Sequence, residues 1–353
     1  MKKHLLIALM AVATCCIGLS CMAQSSDKET PYLNKSLSAE AITTVEAETS
    51  GGSIEVTGGR GQDARIEVYV FPSGINGIFG KLSAAEISKR LSEDYDLSVT
   101  VTDHKLVAIA RSKNGSEDWK KQLSIAYKIF VPTQVSAHVS TSGGSIHISN
   151  LSGREDFSTS GGSLHVSRLS GRITGSTSGG SIHVYDSKDT VDLSTSGGSI
   201  HAARCRGWIK LRTSGGSLHL DSLEGSVTAT TSGGSIHGGS IAGELHTGTS
   251  GGNVSLSHIS GSLDASTSGG RIEVEMVAVG KFIRLNNSGG RIDLQVPKDK
   301  GFDLQLSGTK IKTDGMTAFS GSADENSMHG SVNGGGIPIS VDAGGGKISL
   351  SFR

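Results

Sequence analysis

Polar and apolar residues alternate in short bursts through the middle of the chain, and glycine punctuates every burst. In the stretch that begins at Ser160, Gly161-Gly162 is followed by Ser163-Leu164-His165-Val166-Ser167, then by Leu169 and a second turn at Ser170-Gly171. Ile173 opens another alternating run toward Thr177. Alternation at period two marks strands with one face buried and the other wet. The glycines mark places where the backbone needs positive φ or a close approach.

The whole unit recurs. Ser-Gly-Gly starts at Ser142, Ser160, Ser178, Ser196, Ser214, Ser232, Ser250 and Ser268, a period of 18 residues without insertion. Another copy follows at Ser288 after two extra residues, and an isolated one stands upstream at Ser50. A period that never slips makes each unit one rung of a stack, because an insertion would break contact with both neighbours. Two strands per rung predict an all-β fold, a flattened β-solenoid with rungs about 4.8 Å apart.

Stacking turns equivalent residues into columns. Ile146, Leu164, Ile182, Ile200, Leu218, Ile236, Val254 and Ile272 form one inward column. Ile148, Val166 and Val184 begin a second, which thins to Ala202, Leu220 and Gly238. Leu151, Leu169, Leu223, Ile241 and Ile259 form a third, with Ser187 and Cys205 as odd members. Ile173, Val191, Ile209, Val227, Leu245 and Leu263 line the opposite wall, where Glu155 interrupts the first rung. Thr141, Thr159, Thr177, Thr195, Thr213, Thr231, Thr249 and Thr267 lie beside the turn and read as an internal turn-stabilising ladder rather than an ice-binding array.

The flanks are less regular. Met1-Lys2-Lys3-His4 and the apolar run from Leu5 to about Leu19 read as a secretory signal, residues 1–23, too short to span a membrane. Cleavage after Ala23 is favoured over a lipid anchor at Cys21, because Gly18 stands where a lipoprotein signal usually has leucine. No second long apolar run follows, so no transmembrane anchor is expected, and the protein is expected in the periplasm, on the outer cell surface or outside the cell. Residues 24–136 read as an N-terminal cap continuous with the solenoid, 137–290 as the regular repeats and 291–353 as degenerate closing rungs. Within the cap, strands are expected at 64–70, 97–102, 106–111 and 123–131. A helix is expected after Ser83, with Ser83 and Glu86 as a capping box, Leu82 and Ile87 as a hydrophobic staple and Ile87, Leu91 and Tyr95 as an apolar stripe.

With 33 basic and 33 acidic residues the chain lacks the charge surplus that drives nucleic-acid binding. Removal of the leader leaves Cys205 alone, so no disulfide framework exists, and its inward column makes it a small buried apolar residue.

The chain resembles the putative-adhesin β-strand-repeat proteins, a bacterial domain family. The likeness rests on the leader, on Val45-Glu46-Ala47-Glu48-Thr49-Ser50-Gly51-Gly52, on Ile129-Phe130-Val131-Pro132 leading into Thr141-Ser142-Gly143-Gly144-Ser145-Ile146, and on Ile292-Asp293-Leu294-Gln295-Val296-Pro297. It covers nearly the whole mature chain, and the order and spacing of these short motifs carry it. The family's repeats often have an acidic or amide residue after the glycine, where this chain mostly has Gly-Ser. The resemblance implies a cell-surface or periplasmic β-solenoid and brings no catalytic residues.

One surface column stands out. His147, His165, His183, His201, His219 and His237 recur on the outward side of one strand, and the series ends at Ser255 and Glu273. Imidazole is a common ligand for transition metals, yet a linear ladder lacks the third and fourth ligands of a tetrahedral site. No metal or other cofactor is therefore assigned. Protonated neighbours would sit about 5 Å apart and repel by on the order of 1 kcal/mol per pair, so depressed titration is expected. The calcium-binding pattern Gly-Gly-x-Gly-x-Asp is absent, since Leu164 and Val166 occupy its second glycine and aspartate positions. Asp186, Asp189, Asp192 and Asp221 show no recurrent pairing of the kind glycosidases need. The expectation is a non-enzymatic, adhesin-like structural or binding module, with a surface, glycan or protein ligand. Metal binding through the histidine ladder and a polysaccharide-active enzyme are the alternatives.

Overall fold

The structure, a computed structural model, describes residues 30–37, 40–60, 64–73, 83–113 and 122–353. The expected leader, with Cys21, and Leu82 of the expected staple lie outside them. Pro31–Arg353 is one unit, built from 29 strands and one helix among the described residues.

The first strands are β1 (Leu33–Ser36), β2 (Thr44–Thr49), β3 (Ile54–Gly59) and β4 (Arg65–Pro72), followed by helix α1 (Ala84–Asp94) and then β5 (Tyr95–Thr102), β6 (Lys105–Ser112) and β7 (Leu123–Pro132). Regular stacking begins with β8 (Ser136–Thr141) and β9 (Ile146–Ser149). It continues through β10 (Ser152–Thr159), β11 (Leu164–Ser167), β12 (Ser170–Thr177), β13 (Ile182–Tyr185), β14 (Lys188–Thr195), β15 (Ile200–Ala203) and β16 (Arg206–Thr213). Then come β17 (Leu218–Asp221), β18 (Glu224–Thr230), β19 (Ile236–Gly239), β20 (Ala242–Thr249), β21 (Val254–Thr267) and β22 (Ile272–Asn287). The chain closes with β23 (Ile292–Val296), β24 (Phe302–Ser307), β25 (Lys310–Asp314), β26 (Phe319–Ala323), β27 (Ser327–Val332), β28 (Ile337–Asp342) and β29 (Lys347–Phe352).

The repeats form the expected flattened β-solenoid. Each rung gives a short strand to one wall and a longer one to the other, and every strand pairs in parallel with its equivalent 18 residues on: Leu164 with Ile182, Ile173 with Val191. The expected inward columns are buried throughout, Cys205 included.

A fifth inward column escapes the apolar pattern because its composition is mixed: Val139, Phe157, Gly175, Leu193, Leu211, Ala229, Thr247 and Ala265. Phe157 is the one aromatic ring in this part of the core, and Gly175 above it leaves the room. A Cβ on Gly175 would lie 2.1 Å from the ring. The threonine column is internal, as expected. Thr177 Oγ1 donates to the Gly162 carbonyl at 2.7 Å and accepts from the Gly180 N–H at 3.3 Å, and the same pair of bonds recurs rung after rung.

The two glycines of each turn differ. The second needs close approach: a Cβ on Gly198 would come within 2.1 Å of the Gly180 carbonyl oxygen. The left-handed position at the opposite corner is filled without glycine, by Asn150, Arg168, Asp186, Arg204, Ser222, Ser240 and His258, at φ between 54° and 59°. The two extra residues before Ser288 are absorbed by register shifts between β21 and β22, which leave Val277 56% exposed.

Both ends of the stack are interleaved rather than sequential. β2 and β3 stack directly under β8 and β9, so the isolated Ser50 copy is a true rung displaced by 92 residues in sequence. β6 and β7 stack beneath them in turn, and antiparallel β5 and β4 close the end, with β1 along β4. At the far end β28 and β29 stack on β22 and β23, and β24 and β25 stack beyond them. Antiparallel β27 and β26 finish that end. The outer strands β5, β1 and β26 are thus paired antiparallel, while β25 keeps a parallel pairing with β29.

Helix α1 starts at Ser83, whose hydroxyl accepts from the Glu86 N–H at 3.2 Å. The reciprocal half of the capping box is not formed, because the Glu86 carboxylate pairs with Arg90 at 2.8 Å instead. Tyr95 closes the helix in extended conformation and is buried, exchanging hydrogen bonds with Leu123.

Candidate functional site

The parallel register that stacks the core also stacks the surface. His147, His165, His183, His201, His219 and His237 come together in one row. Successive ring centroids are 4.5, 5.0, 4.9, 4.5 and 5.4 Å apart. The first four pairs are within 6° of parallel, and the last opens to 18°. The apolar residues on either side of each histidine are fixed in the core, so each imidazole is held outward by its own strand.

The flanking columns are mostly small. On one side Ser145, Ser163, Ser181, Ser199 and Ser217 form a ladder in which each hydroxyl accepts the N–H of the next serine, 3.1 to 3.3 Å away. On the other side run Ser149, Ser167, Tyr185, Ala203, Asp221 and Gly239. The Tyr185 hydroxyl lies 3.4 Å from His183 Nδ1. Alongside His201, His219 and His237, between Tyr185 and Ser257, lies an open groove of about 430 Å³ with Asp221 at its middle.

The displaced rung also contributes. Glu55 sits directly below His147 in register, a neighbour that the repeat pattern could not reveal because its rung lies outside the period. Tyr185 and Asp221 interrupt an otherwise bland column, and that break is the one signal in the sequence for a groove.

His147, His165, His183, His201 and His219 are held below the ordinary histidine value. The direction is the expected one, but its main cause is different. Burial is the larger influence, and repulsion between imidazolium neighbours is second from His165 onward. At His147 Glu55 pulls the other way. Below the ordinary value of 6.5 the unfolded chain therefore holds more protons on these five rings than the folded stack does. Stability contributed by the ladder is complete above that value and falls as pH falls through it, levelling off once the folded rings are protonated too. Replacing all six histidines with glutamine should remove this acid limb from urea-unfolding curves recorded between pH 7.5 and 4.5. An unchanged limb in the variant would show that other groups produce it.

The acids considered for catalysis are engaged separately. Asp186 takes a two-pronged bond from Arg204 at 2.6 and 3.0 Å, and Asp192 pairs with Arg212 at 3.1 Å. Asp189 accepts from the Gly171 N–H, and Asp221 from the Ser222 hydroxyl. Cys205 is buried, and burial pushes its thiol up. Among the described residues no group of three or more histidine, cysteine, aspartate or glutamate side chains is placed to hold a metal, and no helix is long and apolar enough to cross a membrane.

No protein-family model matches the chain, and no curated protein does. Three solved structures are similar in fold. A putative cell adhesion protein from Clostridium sporogenes is 11% identical, over 91% of this chain and 98% of that one, with a TM-score of 0.20. A putative lipid binding protein from Parabacteroides distasonis is 13% identical, over 74% and 97%, with a TM-score of 0.34. A putative adhesin from Bacteroides fragilis is 13% identical, over 90% and 96%, with a TM-score of 0.27.

Proposed function

We propose that the chain is a non-enzymatic, secreted or envelope-associated binding module, whose working surface is the polar face that bears the histidine and serine ladders. In this reading residues 1–23 direct export, 24–136 cap the stack, 137–290 carry the working face and 291–353 close the far end. The observation that supports it most is the in-register row of six imidazoles on a strand wall whose inward side is fully packed. A rigid face that offers one chemical unit at every rung suits a ligand that also repeats, because several weak contacts then form at once. A surface glycan or an extended protein segment meets that description. The dispersal of Asp186, Asp189, Asp192 and Asp221 into separate bonds weighs against a polysaccharide-cleaving centre, which needs two carboxyl groups facing one bond.

The test is a binding assay in EDTA, using the fluorescently labelled mature chain on bacterial surfaces, a glycan panel and extended polypeptides. A six-fold His→Ala variant should bind at least about tenfold more weakly, because removing the whole row abolishes its linked, mutually reinforcing interactions in one step. Equal binding by both proteins, or binding by neither, sinks the reading. Release of sugar ends from any glycan in the panel would restore the enzyme.

A further inference from the structure

The ladder offers imidazoles two at a time. Ring centroids lie 4.5 Å apart for His147 and His165, 4.9 Å for His183 and His201, and 5.4 Å for His219 and His237. Zinc held by imidazoles takes four ligands in a tetrahedron at about 2.0–2.1 Å, which puts neighbouring nitrogens about 3.4 Å apart. The stacked rings must each turn toward the other, by roughly 45°, for one nitrogen of each to reach that separation with both lone pairs on one ion. Each pair thus makes half a tetrahedron, and among the described residues no third ligand of the same chain completes it.

A second copy of the face completes it, and three properties suit the face to itself. Its period of about 4.8 Å is matched over many rungs by another in-register stack of β-strands. The columns that flank the rings are built mostly of serine, alanine and glycine, so the imidazoles form a ridge that another ridge can reach. The fixed charges on this side between Ser145 and Ser257 are Arg168, Asp186, Arg204 and Asp221, two of each sign, so two such faces meet without net repulsion. A twofold axis set across the ladders runs them antiparallel and uses the same patch on both copies. His147 and His165 of one copy would then face His219 and His237 of the other, and His183 and His201 would face their own equivalents.

We infer that the histidine face is a metal-bridged self-association surface, on which a divalent transition ion with a tetrahedral preference, zinc foremost, joins two copies of the chain through pairs of adjacent rungs. The inference rests on the reading of this face as the binding surface and adds its partner and its ion. Each neutral ring gives a lone pair to the ion, and no bond within the protein breaks. The Tyr185 hydroxyl, 3.4 Å from His183 Nδ1, holds that ring by one nitrogen and leaves the other for the ion. Protons compete for the same lone pairs, so association weakens in acid. The charged groups around the ladder are Glu55 below His147, Asp221 beside His219, Glu273 beyond Ser255, and Arg168, Asp186 and Arg204 along the corner.

Sedimentation velocity on the metal-free mature chain at micromolar concentration tests this, with zinc chloride added at pH 7.5 and calcium chloride as the control. Zinc should convert monomer to dimer with about three ions per dimer, since twelve rings in tetrahedral sets of four make three sites. EDTA or pH 5 should reverse it, and calcium should do nothing. A six-fold His→Gln variant should stay monomeric with an unchanged circular dichroism spectrum, and His183→Gln with His201→Gln should lower the count to about two. Zinc binding without association overturns the role of the second copy. Association that survives EDTA or the six-fold variant overturns the role of the metal, and no zinc binding overturns both. The surface-binding assay is run in EDTA, so loss of surface binding and loss of zinc-driven association are read separately.

Discussion

Replacing Glu155 with glutamine should flatten the alkaline side of the stability profile. Glu155 interrupts an otherwise apolar column between Ala137 and Ile173 and is 0% exposed. Its Oε2 accepts the Ala137 N–H at 3.0 Å, while Oε1 has no partner. Burial raises this carboxyl from 4.5 to about 8, against the Ala137 bond, which lowers it. Between those values the folded protein keeps a proton that the unfolded chain has released, so stability falls as pH rises. The loss is about 1.4 kcal/mol per unit and about 5 kcal/mol in all. Glutamine keeps an acceptor for Ala137 and cannot ionise. Urea unfolding from pH 4.5 to 9 should therefore give wild-type and Glu155→Gln curves that diverge by several kcal/mol toward alkaline pH. Parallel curves would show that the carboxyl is not protonated in the stack. The histidine ladder acts with the opposite sign, so the Gln variant should retain only the acid limb.

Two adjacent glycines should respond oppositely to the same substitution. A Cβ on Gly198 would meet the Gly180 carbonyl oxygen at 2.1 Å and carbon at 2.4 Å, so two rungs must part before alanine fits. A Cβ on Gly197 would meet the Ser178 oxygen at 3.5 Å, an ordinary contact. Gly198→Ala is expected to cost about 3 kcal/mol or more, as overpacking against unyielding backbone does. Gly197→Ala should be neutral or stabilising by up to about 1 kcal/mol, because it restricts the unfolded chain. Denaturation of the two variants side by side decides the matter, and equal losses would mean that turn flexibility, not stacking distance, requires the pair.

The regular rungs are legible because a stack writes its neighbours into the period: the residue beyond Ile182 along the axis is Ile200, 18 residues on, and the sequence repeats at that interval. The histidine row follows for the same reason. Where the stacking leaves the period, the sequence is silent. Nothing in Ser50 announces that its rung stacks on Ser142, or that Glu55 lies under His147. The column of Phe157 and Gly175 is hidden by compensation, since a large residue and an absent one together look like no pattern. The spacing of Ser83 and Glu86 suggests a reciprocal cap, although Arg90 stands one turn away and holds the carboxylate more strongly. A downward shift of the histidines follows from spacing alone, while the larger part played by burial is visible only in the fold.

The interleaved ends change how the molecule answers to force. Tension on the chain just beyond Phe352 must drag β29 sideways from between β23 and β25, breaking both ladders along their length at once. A coil laid down in strict sequence would instead peel away one bond after another. The far end is tied by the same kind of knotless lashing, with β2 and β3 clasped between β6, β7 and the regular coils. A protein so bound resists tugging along its axis much as a spliced rope does, without a single covalent cross-link among its described residues.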